Sequence, residues 1–383
     1  MKNRPLYLNE LLEYRDKNVV KVITGIRRCG KSSLLELFAD KLRTLGVPET
    51  RILQINFESL QYDGMSYSEL YDLVRRNARD AEGKLYIFLD ELQRVESWEK
   101  AVNSFLVDFD VDIYITGSNA YLLSSDLATY LSGRYVEIKM LPLSFREFLD
   151  FHKFPEDASV EKKFEYYLKY GGFPGLAEYE FNEKQINEVL DGIYSSAVLK
   201  DIYKRLEIRN SGLLDKVCRF FADNIGNTSS ANKVAGVLEA ERNMPREKKG
   251  VSANIVSSYV DALVNAFIFY RADRYDIKGK ELLKTLPKWY IVDMGFRNLL
   301  FGYRDADRGH ILENIVYLEL RRRGYTVYIG KVGTKEVDFI ADSQSEKLYI
   351  QVTETMLDEN TRKRELDSLR KIPDNYPKMV LTL

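Results

Sequence analysis

Apolar runs alternate with helical patterns through the first 141 residues of the chain. Five short apolar runs, each followed by polar or glycine residues, predict β-strands: residues 19–24, 52–57, 84–91, 112–119 and 135–141. After the first run, apolar side chains recur at helical spacing at Leu34, Leu35, Leu37, Phe38 and Leu42. Strands alternating with helices favour right-handed crossovers, so the pattern predicts an α/β fold with a parallel sheet.

The middle of the chain, residues 205–292, is helical and then extended. Its predicted elements are helices at 229–241 and 251–266 and strands at 267–276 and 288–293. Ser252 is the expected N-cap of the second helix. The inward face of that helix is predicted to carry Ile255, Val256, Tyr259, Val260 and Leu263. Two helices followed by a β-ribbon are typical of a winged helix.

A third pattern occupies residues 293–383. The predicted elements are a helix at 311–323, strands at 325–330, 335–341 and 347–353, a helix at 359–371 and a strand at 379–383. This αβββαβ order predicts one further sheet with helices, and therefore a third domain.

Composition is that of an ordinary soluble protein. The chain has 383 residues, 45% hydrophobic and 30% charged, with a net charge of −1. Such a balance gives no whole-chain electrostatic footprint for nucleic acid, although a local basic patch stays possible. Because the N-terminus has no apolar signal core and no run approaches the length of a membrane span, we expect a cytoplasmic protein without membrane contact.

Cysteine and histidine are too few to carry much chemistry. The chain has only Cys29 and Cys218, with His152 and His310 far apart in sequence. A disulfide framework, a zinc site and Cys–His catalysis therefore have little support.

The segment GIRRCGKSS, residues 25–33, has the spacing G-x-x-x-x-G-K-[ST] of a phosphate-binding loop. Gly25 and Gly30 bound the loop, Lys31 is expected to reach the β- and γ-phosphates of ATP, and the Ser32 hydroxyl is expected to ligate Mg²⁺. Backbone groups of the loop and helix start, including Cys29 and Ser33, are expected to line the phosphates. The alternative is a glycine-bounded turn with a stray lysine.

Two acids end the third predicted strand, KLYIFLDE, about sixty residues after the phosphate loop. Asp90 is expected to hold Mg²⁺ opposite Ser32, and Glu91 to polarise the attacking water. The alternative is that acids often end strands at a surface loop. After the fourth strand, Ser118 is the first candidate to contact the γ-phosphate or the water and Asn119 the second, although either could cap the next helix.

Taken together, the motifs resemble the AAA-type ATPases of bacteria and archaea, from the signal-transducing clade of P-loop proteins, that carry a C-terminal domain of unknown function. The motifs that carry the resemblance are GIRRCGKSS, LDELQ, TGSNA, LSGRY, LPLSFREF, GGFPG, KWYIVDMG, ILEN and EVDFIAD. The resemblance runs nearly end to end, and it implies an ATPase domain at 1–200 with a core at 18–141 and a helical lid at 142–200.

The resemblance implies three further nucleotide-site residues. Asn56 occupies the place of a switch residue that holds the catalytic glutamate. Arg134 occupies a Gly-Arg position that senses or stabilises the γ-phosphate, with a surface ion pair as the alternative. Gly172 to Pro174 resemble an element that contacts adenine, with a turn between helices as the alternative.

A winged helix in the middle of the chain can bind DNA through its second helix. The outward candidates are Asn254, Ser257, Ser258 and Asp261, a neutral to acidic face without arginine or lysine. The modest basic cluster upstream consists of Arg242, Arg246, Lys248 and Lys249. The alternative is a rigid connector that relays the nucleotide state.

The C-terminal element order matches the core of the PD-(D/E)XK, or restriction-endonuclease-like, fold. Glu313, Asp338 and Gln351 fall where active members bind a metal ion. Thr353 occupies the position of the catalytic lysine, which weakens the site, although Glu354 or Lys347 could compensate. The alternative is a structural or partner-binding domain that keeps only the fold.

The sequence therefore predicts an ATP- and Mg²⁺-dependent molecular switch that couples nucleotide state to its other domains. The alternatives are an ATP-gated, metal-dependent DNA nuclease and an ATP-stabilised protein that binds DNA or another partner. An oligomer is compatible with the sequence, and Arg134 could act within one subunit or across an interface.

Overall fold

The computed structural model describes residues 2–118, 120, 131, 133–203, 211–240, 251–304 and 307–383. The chain divides into two units, residues 1–151 and 152–383. Residues 152–200 of the predicted lid thus belong to the second unit. Among the described residues, no helix combines the length and apolar character needed to cross a membrane.

The first unit alternates strands and helices. Its elements are α1 (Pro5–Glu13), β1 (Val20–Thr24), α2 (Lys31–Thr44), β2 (Ile52–Asn56), α3 (Tyr67–Asp80), β3 (Leu85–Asp90), α4 (Trp98–Asp108), β4 (Val111–Gly117), β5 (Tyr135–Lys139) and α5 (Phe145–Phe151). The strands form a parallel sheet in the order β2-β3-β4-β1-β5. All residues of β1 and β3 are buried, which explains their nearly continuous apolar sequences. The five predicted strands and the α/β class are confirmed.

The sheet order brings three loops to one edge. Strands β3, β4 and β1 are neighbours in that order, and their carboxyl ends point the same way because all three are parallel. The loop after β1 contains Gly25 to Gly30, β3 ends at Asp90, and Ser118 follows β4. This edge is where open α/β sheets bind their ligands.

The second unit begins with helices and ends with a sheet. Its elements are α6 (Val160–Tyr170), a 3₁₀ helix (Pro174–Tyr179), α7 (Glu183–Ser195), a π-helical turn (Ser196–Tyr203), α8 (Ser211–Asp223), α9 (Ala231–Ala240), α10 (Ala253–Asn265), β6 (Phe269–Asp276), β7 (Glu281–Ile291), α11 (Met294–Phe301), α12 (Arg308–Arg322), β8 (Thr326–Val332), β9 (Lys335–Asp342), β10 (Lys347–Val352), α13 (Glu359–Arg370) and β11 (Lys378–Leu381). The αβββαβ order predicted for the C-terminal end is present from α12 to β11.

One six-stranded sheet joins the strands of two predicted domains. Its order is β11-β10-β9-β8-β6-β7, with β6 and β8 parallel. The register places Arg274 beside Ile329 and Asp276 beside Lys331. The predicted ribbon of the middle domain is therefore an edge of the C-terminal sheet, and the predicted boundary at residue 292 does not coincide with a break in that sheet.

Helix α10 has the predicted N-cap and most of its predicted inward face. The Ser252 side chain accepts the Ile255 backbone N–H at 3.3 Å. Val256, Tyr259, Val260 and Leu263 are buried, whereas Ile255 is 43% exposed. The prediction that Ile255 faces inward was wrong. This residue lies in the first turn of α10, where Asn254 is also exposed.

Candidate functional site

The phosphate loop requires glycine at its two ends. Gly25 has φ of 149° and Gly30 has φ of 103°, both in the range that L side chains rarely adopt. A Cβ on Gly25 would lie 2.1 Å from the Met140 carbonyl oxygen, so the close approach of this backbone excludes any larger residue. Gly30 is the N-cap of α2, and the loop therefore delivers the chain directly into that helix.

Lys31 and the two serines after it form the first turn of α2. The Lys31 side chain is buried, and its ammonium donates to the carbonyl oxygens of Gly25 at 3.0 Å and Ile26 at 3.1 Å. Ser32 and Ser33 are exposed. Since the first backbone N–H groups of a helix have no intrahelical acceptor, this turn offers donors and a positive charge to an anion.

Cys29 contributes to the loop only through its backbone. Its side chain is fully buried, and its Sγ donates to the Met140 carbonyl oxygen at 3.6 Å. Its own carbonyl oxygen accepts a hydrogen bond from Arg4 at 3.0 Å. The thiol thus belongs to the interior of the first unit.

Arg4 is a buried anchor that the sequence did not reveal. Its guanidinium binds the Glu147 carboxylate through two hydrogen bonds of 2.8 and 2.9 Å, besides the carbonyl oxygens of Cys29 and Leu141. Glu147 also accepts the Ser144 backbone N–H at 2.9 Å. The S-x-x-E spacing inside LPLSFREF indicates the local contact between Ser144 and Glu147. It does not indicate Arg4, which is more than 140 residues away from Glu147 in sequence.

Asp90 is held at the end of β3 by neighbours on both sides. Its Oδ1 accepts the hydroxyl of Thr116 on β4, and its Oδ2 accepts the side-chain amide of Asn56 on β2 at 3.0 Å. Asp90 is 6% exposed. Two donors fix its carboxylate at the edge where the phosphate loop begins.

Glu91 turns sharply away from the strand. Its φ is 56°, a left-handed conformation that is unusual for a residue other than glycine. Its backbone N–H donates to the Thr116 hydroxyl at 3.0 Å, and its carboxylate accepts the Ser118 hydroxyl at 3.3 Å and the Gln93 amide. Ser118 therefore lies against the predicted catalytic acid. Thr116 was not among the predicted site residues, and its hydroxyl forms hydrogen bonds with both acids.

Asn56 contacts a different acid from the one predicted. Its amide donates to Asp90 and its Oδ1 accepts the Glu58 backbone N–H at 2.8 Å. The register of β2 and β3 pairs Asn56 with Asp90, which places the two side chains together. Glu91, the acid that Asn56 was predicted to hold, lies just after the end of β3.

The remaining predicted nucleotide-site residues are Arg134, Pro174 and Asn119. Arg134 is exposed just before β5, and its carbonyl oxygen accepts the Val20 N–H at 2.8 Å. Pro174 begins the 3₁₀ helix of the second unit. Asn119 lies outside the described residues, as do Arg242, Arg246, Lys248 and Lys249.

The donor set at the sheet edge suits Mg²⁺ in the presence of a nucleotide. Mg²⁺ prefers oxygen ligands and is commonly held by one or two protein oxygens together with phosphates and water. The Ser32 hydroxyl and the Asp90 carboxylate supply such oxygens. Among the described residues, no group of three or more His, Cys, Asp or Glu side chains could hold a metal ion.

The three predicted metal ligands of the C-terminal sheet line one cavity of about 710 Å³. Glu313 is on α12, Asp338 on β9 and Gln351 on β10. Gln351 is occupied at both ends, since its Oε1 accepts the Asp338 N–H at 2.7 Å and its Nε2 donates to Glu365 at 2.6 Å. Both polar atoms of the Gln351 amide therefore already have hydrogen-bond partners within the chain.

The half-buried Asp338 and the buried Glu313 have pKa values that are shifted in opposite directions. Burial and the nearby Glu313 charge raise the pKa of Asp338 to about 7. Burial alone would raise the pKa of Glu313, but hydrogen bonds and charge from His310, Lys288 and Tyr290 lower it below its ordinary value. Glu313 is therefore the ionised partner of a nearby cation.

That cation is Lys288 of β7, a second residue that the sequence did not reveal. Its ammonium lies 2.9 Å from Glu313 Oε1 and 2.7 Å from Glu336 Oε1. Burial works against its charge, yet the two carboxylates raise the pKa of Lys288 above its ordinary value. Glu313, the first of the three predicted metal ligands, is therefore paired with an ammonium group of the same chain.

Neither predicted substitute for the missing lysine at Thr353 is free to act as one. Lys347 pairs with Asp342 at 3.4 Å and does not line the cavity. Glu354 lines the cavity and pairs with Arg308 at 3.0 Å. The Thr353 hydroxyl donates to the Thr355 carbonyl oxygen at 3.3 Å.

The fold and the sheet-edge site of the first unit define a P-loop ATPase-like domain of the AAA class. Residues 17–149 match the family model described as AAA domain, and residues 161–307 match a domain of unknown function (DUF8612). The second match crosses the predicted boundary at residue 292 and ends before β8.

Two curated relatives match most or all of the chain. An uncharacterized protein of Haemophilus influenzae is 43% identical over 384 residues, covering 100% of this chain and 93% of the relative. An uncharacterized protein of Methanocaldococcus jannaschii is 31% identical over 369 residues, covering 92% and 78%. The chain belongs to a family of AAA-domain proteins that includes these two relatives.

Solved structures of low sequence identity show partial likeness. The Aeropyrum pernix ORC2 protein (ADPNP-ADP complexes) has a TM-score of 0.38 and 12% identity, covering 83% of this chain and 92% of that one. The Aeropyrum pernix ORC1 protein in complex with DNA has a TM-score of 0.34 and 13% identity, covering 78% and 92%. Both scores are low, and the fold class rests on the strand order and the phosphate loop.

Proposed function

We propose that the protein is an ATP-binding, Mg²⁺-dependent ATPase that acts as a molecular switch. The observation that carries the proposal is the meeting of three strand ends at one sheet edge. There the phosphate loop with Lys31 follows β1, Asp90 and Glu91 end β3, and Ser118 follows β4 with its hydroxyl 3.3 Å from the Glu91 carboxylate.

Each residue at this edge has a distinct role in the proposal. Lys31 and the N–H groups of the loop bind the β- and γ-phosphates, and Ser32 with Asp90 holds Mg²⁺, which neutralises phosphate charge when bound. Glu91 orients the attacking water through its carboxylate. The Ser118 hydroxyl donates to that carboxylate. In the proposal, Ser118 also contacts the γ-phosphate or the attacking water, and it therefore responds when the γ-phosphate is lost. Arg134 stabilises charge on the transferred group, from the same subunit or from a neighbouring one.

Two substitutions separate binding from hydrolysis. Lys31→Ala is expected to abolish ATP binding in an equilibrium titration. Lys41→Ala removes an exposed lysine from the last turn of the same helix and serves as its control. Normal ATP affinity in Lys31→Ala would refute the assignment of the phosphate loop.

Glu91→Gln is expected to bind ATP and to lose turnover by about 10²- to 10⁴-fold, because the amide cannot accept a proton from water. Glu96→Gln, which changes an exposed acid in the loop before α4, is the matched control. Unimpaired turnover in Glu91→Gln would remove this residue from the mechanism.

The output of the switch is proposed to lie in the second unit, through a winged-helix-like module of α8, α9, α10 and the β6–β7 hairpin. The exposed residues of α10, Asn254, Ser257, Ser258 and Asp261, carry no positive charge. Phosphate contacts supply most non-specific affinity for DNA, so this face favours a protein partner. A gel-shift titration over a salt series tests the DNA alternative, since phosphate contacts would make binding weaken steeply with salt.

We also propose that α12 to β11 form a nuclease-like fold without hydrolytic activity. The αβββαβ order supports the fold, and Thr353 at the lysine position with the occupied Gln351 amide argues against hydrolysis. A plasmid-cleavage assay with Mg²⁺ or Mn²⁺ compares the parent protein with Asp338→Ala. Cutting by the parent that disappears in Asp338→Ala would establish a metal-dependent nuclease instead, and repeating the assay with and without ATP would test the gating.

A further inference from the structure

Lys288 contacts two acids, Glu313 and Glu336, that line the cavity of the second unit. Only 7% of its side chain is exposed, and its ammonium bridges Glu313 Oε1 at 2.9 Å and Glu336 Oε1 at 2.7 Å. The two carboxylates reach this point from α12 and β9, while the lysine comes from β7. The Lys288 ammonium thus connects β7 to α12 and β9 at the point where the Glu313 and Glu336 carboxylates meet.

The oxygens around Lys288 already have donors. Glu313 Oε1 accepts the Tyr290 hydroxyl at 2.6 Å in addition to the ammonium, and Glu313 Oε2 lies 3.9 Å from His310 Nδ1. Asp338 Oδ2 accepts the Val352 backbone N–H at 2.8 Å. A divalent ion at this place would have to displace the ammonium and several hydrogen bonds.

We infer that Lys288 is a built-in counter-cation that takes the place of a divalent metal ion beside Glu313 and Glu336. The Glu313 side chain is only 9% exposed, and its carboxylate needs positive charge nearby, because an uncompensated buried charge is strongly unfavourable. Lys288 supplies that charge from within the chain. With it in place, a further cation would meet like-charge repulsion at close range.

The inference assigns the cavity to a metal-independent role and goes beyond the proposed ATPase. Glu313, one of the acids that a nuclease would use for a metal ion, and Glu336 instead connect α12 and β9 to β7 through Lys288. Asn314, the neighbour of Glu313, completes this junction, since its side chain accepts the Ile291 N–H and donates to the Ile291 carbonyl oxygen, both at 2.8 Å.

The test is a calorimetric titration of nucleotide-free protein with Mn²⁺. The parent protein is expected to show no saturable site that depends on Asp338. Lys288→Met replaces the ammonium by an uncharged side chain of similar length and is expected to gain one Mn²⁺ site, with affinity at least about tenfold above the parent. Adding Asp338→Asn to Lys288→Met should remove the gained site.

Lys335→Met is the matched control. Lys335 lines the same cavity, but its ammonium pairs with Asp367 at 3.5 Å and its side chain is 30% exposed. The substitution removes the same charge from the same cavity without vacating the position between Glu313 and Glu336. It is therefore expected to leave Mn²⁺ binding at the level of the parent.

Two results would overturn the inference. One is a Mn²⁺ site in the parent protein that disappears in Asp338→Asn, which would show that Lys288 and a metal ion coexist. The other is a folded Lys288→Met protein, verified by circular dichroism and a cooperative melt, that gains no site. If Lys288→Met does not fold, Lys288→Gln replaces it, and the comparison of the parent with Asp338→Asn decides the question by itself.

Discussion

The Thr116 hydroxyl accepts the backbone N–H of Glu91 at 3.0 Å. The same hydroxyl donates its proton to the Asp90 carboxylate. One side chain of β4 therefore fixes both the proposed magnesium ligand and the left-handed turn that carries the proposed catalytic acid. Since a hydroxyl has one proton and two lone pairs, Thr116 can satisfy both partners at once.

Thr116→Val keeps the shape of the side chain and removes both hydrogen bonds. We expect ATP turnover to fall by about 10- to 100-fold, the range seen when the support of a metal ligand is lost. Thr116→Ser keeps the hydroxyl and should restore most of the turnover. Steady-state ATPase assays measure the effect, and equal turnover in Thr116→Val and the parent would show that the Thr116 hydroxyl does not support catalysis.

We expect the buried ion pair of Arg4 and Glu147 to contribute strongly to the free energy of unfolding of the first unit. Their side chains are 4% and 11% exposed, and the pair connects α1 to the Cys29 carbonyl and to α5. Arg4→Met leaves a buried carboxylate without its cation, so it should lower the free energy of unfolding by about 3–5 kcal/mol. Urea unfolding followed by circular dichroism provides the measurement.

An exposed arginine gives the control for that experiment. Arg43 pairs with Asp40 and Glu49 at the surface, and Arg43→Met should cost at most about 1 kcal/mol. The double substitution Arg4→Met with Glu147→Met should cost less than the sum of the two single ones, because neither partner is then left alone. Additive losses would mean that the pair is not the source of the effect.

Local patterns made much of the first unit predictable. The five strands, the α/β class and the phosphate loop all depend on residues within about ten positions of one another, where periodicity and glycine spacing are informative. The acids at 90 and 91 could be predicted because a strand end and two charges lie together in sequence. The prediction for Ser118 has the same basis, since this residue follows the fourth strand.

Contacts between distant segments could not be predicted. Arg4 lies 143 residues from Glu147, and Lys288 lies 25 from Glu313 on an element assigned to another domain. The parallel pairing of β6 with β8 likewise joins residues about 55 positions apart. Asn56 was assigned to the wrong acid because strand register decides which side chains meet, and the sequence of one strand does not fix it.

Two glycines of the GGFPG segment should respond differently to the same substitution. Gly171 has φ of 80°, and a Cβ there would lie 1.9 Å from Asp293 Oδ1, whereas a Cβ on Gly175 would have no neighbouring atom within 4 Å and its φ is not positive. Gly171→Ala should lower the free energy of unfolding by more than about 2 kcal/mol, and Gly175→Ala by less than about 1 kcal/mol. Urea unfolding of both variants tests the difference, and equal effects would contradict the close packing of Gly171.

Asp293 should make the stability of the second unit depend on pH. Its carboxylate caps α11 by accepting the Gly295 N–H at 2.8 Å and also accepts the Gly172 N–H at 2.6 Å. Complete burial raises the pKa of Asp293 from 3.8 to about 7, although these two N–H groups pull it down. Between these values the folded protein binds more protons than the unfolded chain, so its stability is highest at the acidic end and falls as pH rises toward about 7.

Asp293→Asn tests this dependence because an amide keeps one oxygen acceptor and does not titrate. In the parent protein the contribution of Asp293 should fall by at most about 1.4 kcal/mol per pH unit between pH 3.8 and about 7. Asp293→Asn should flatten that slope in urea unfolding curves collected across the window, while Asp261→Asn, at an exposed position of α10, should leave it unchanged. If the slope persists in Asp293→Asn, another group carries the pH dependence, and the Asp293 carboxylate is ionised throughout this range.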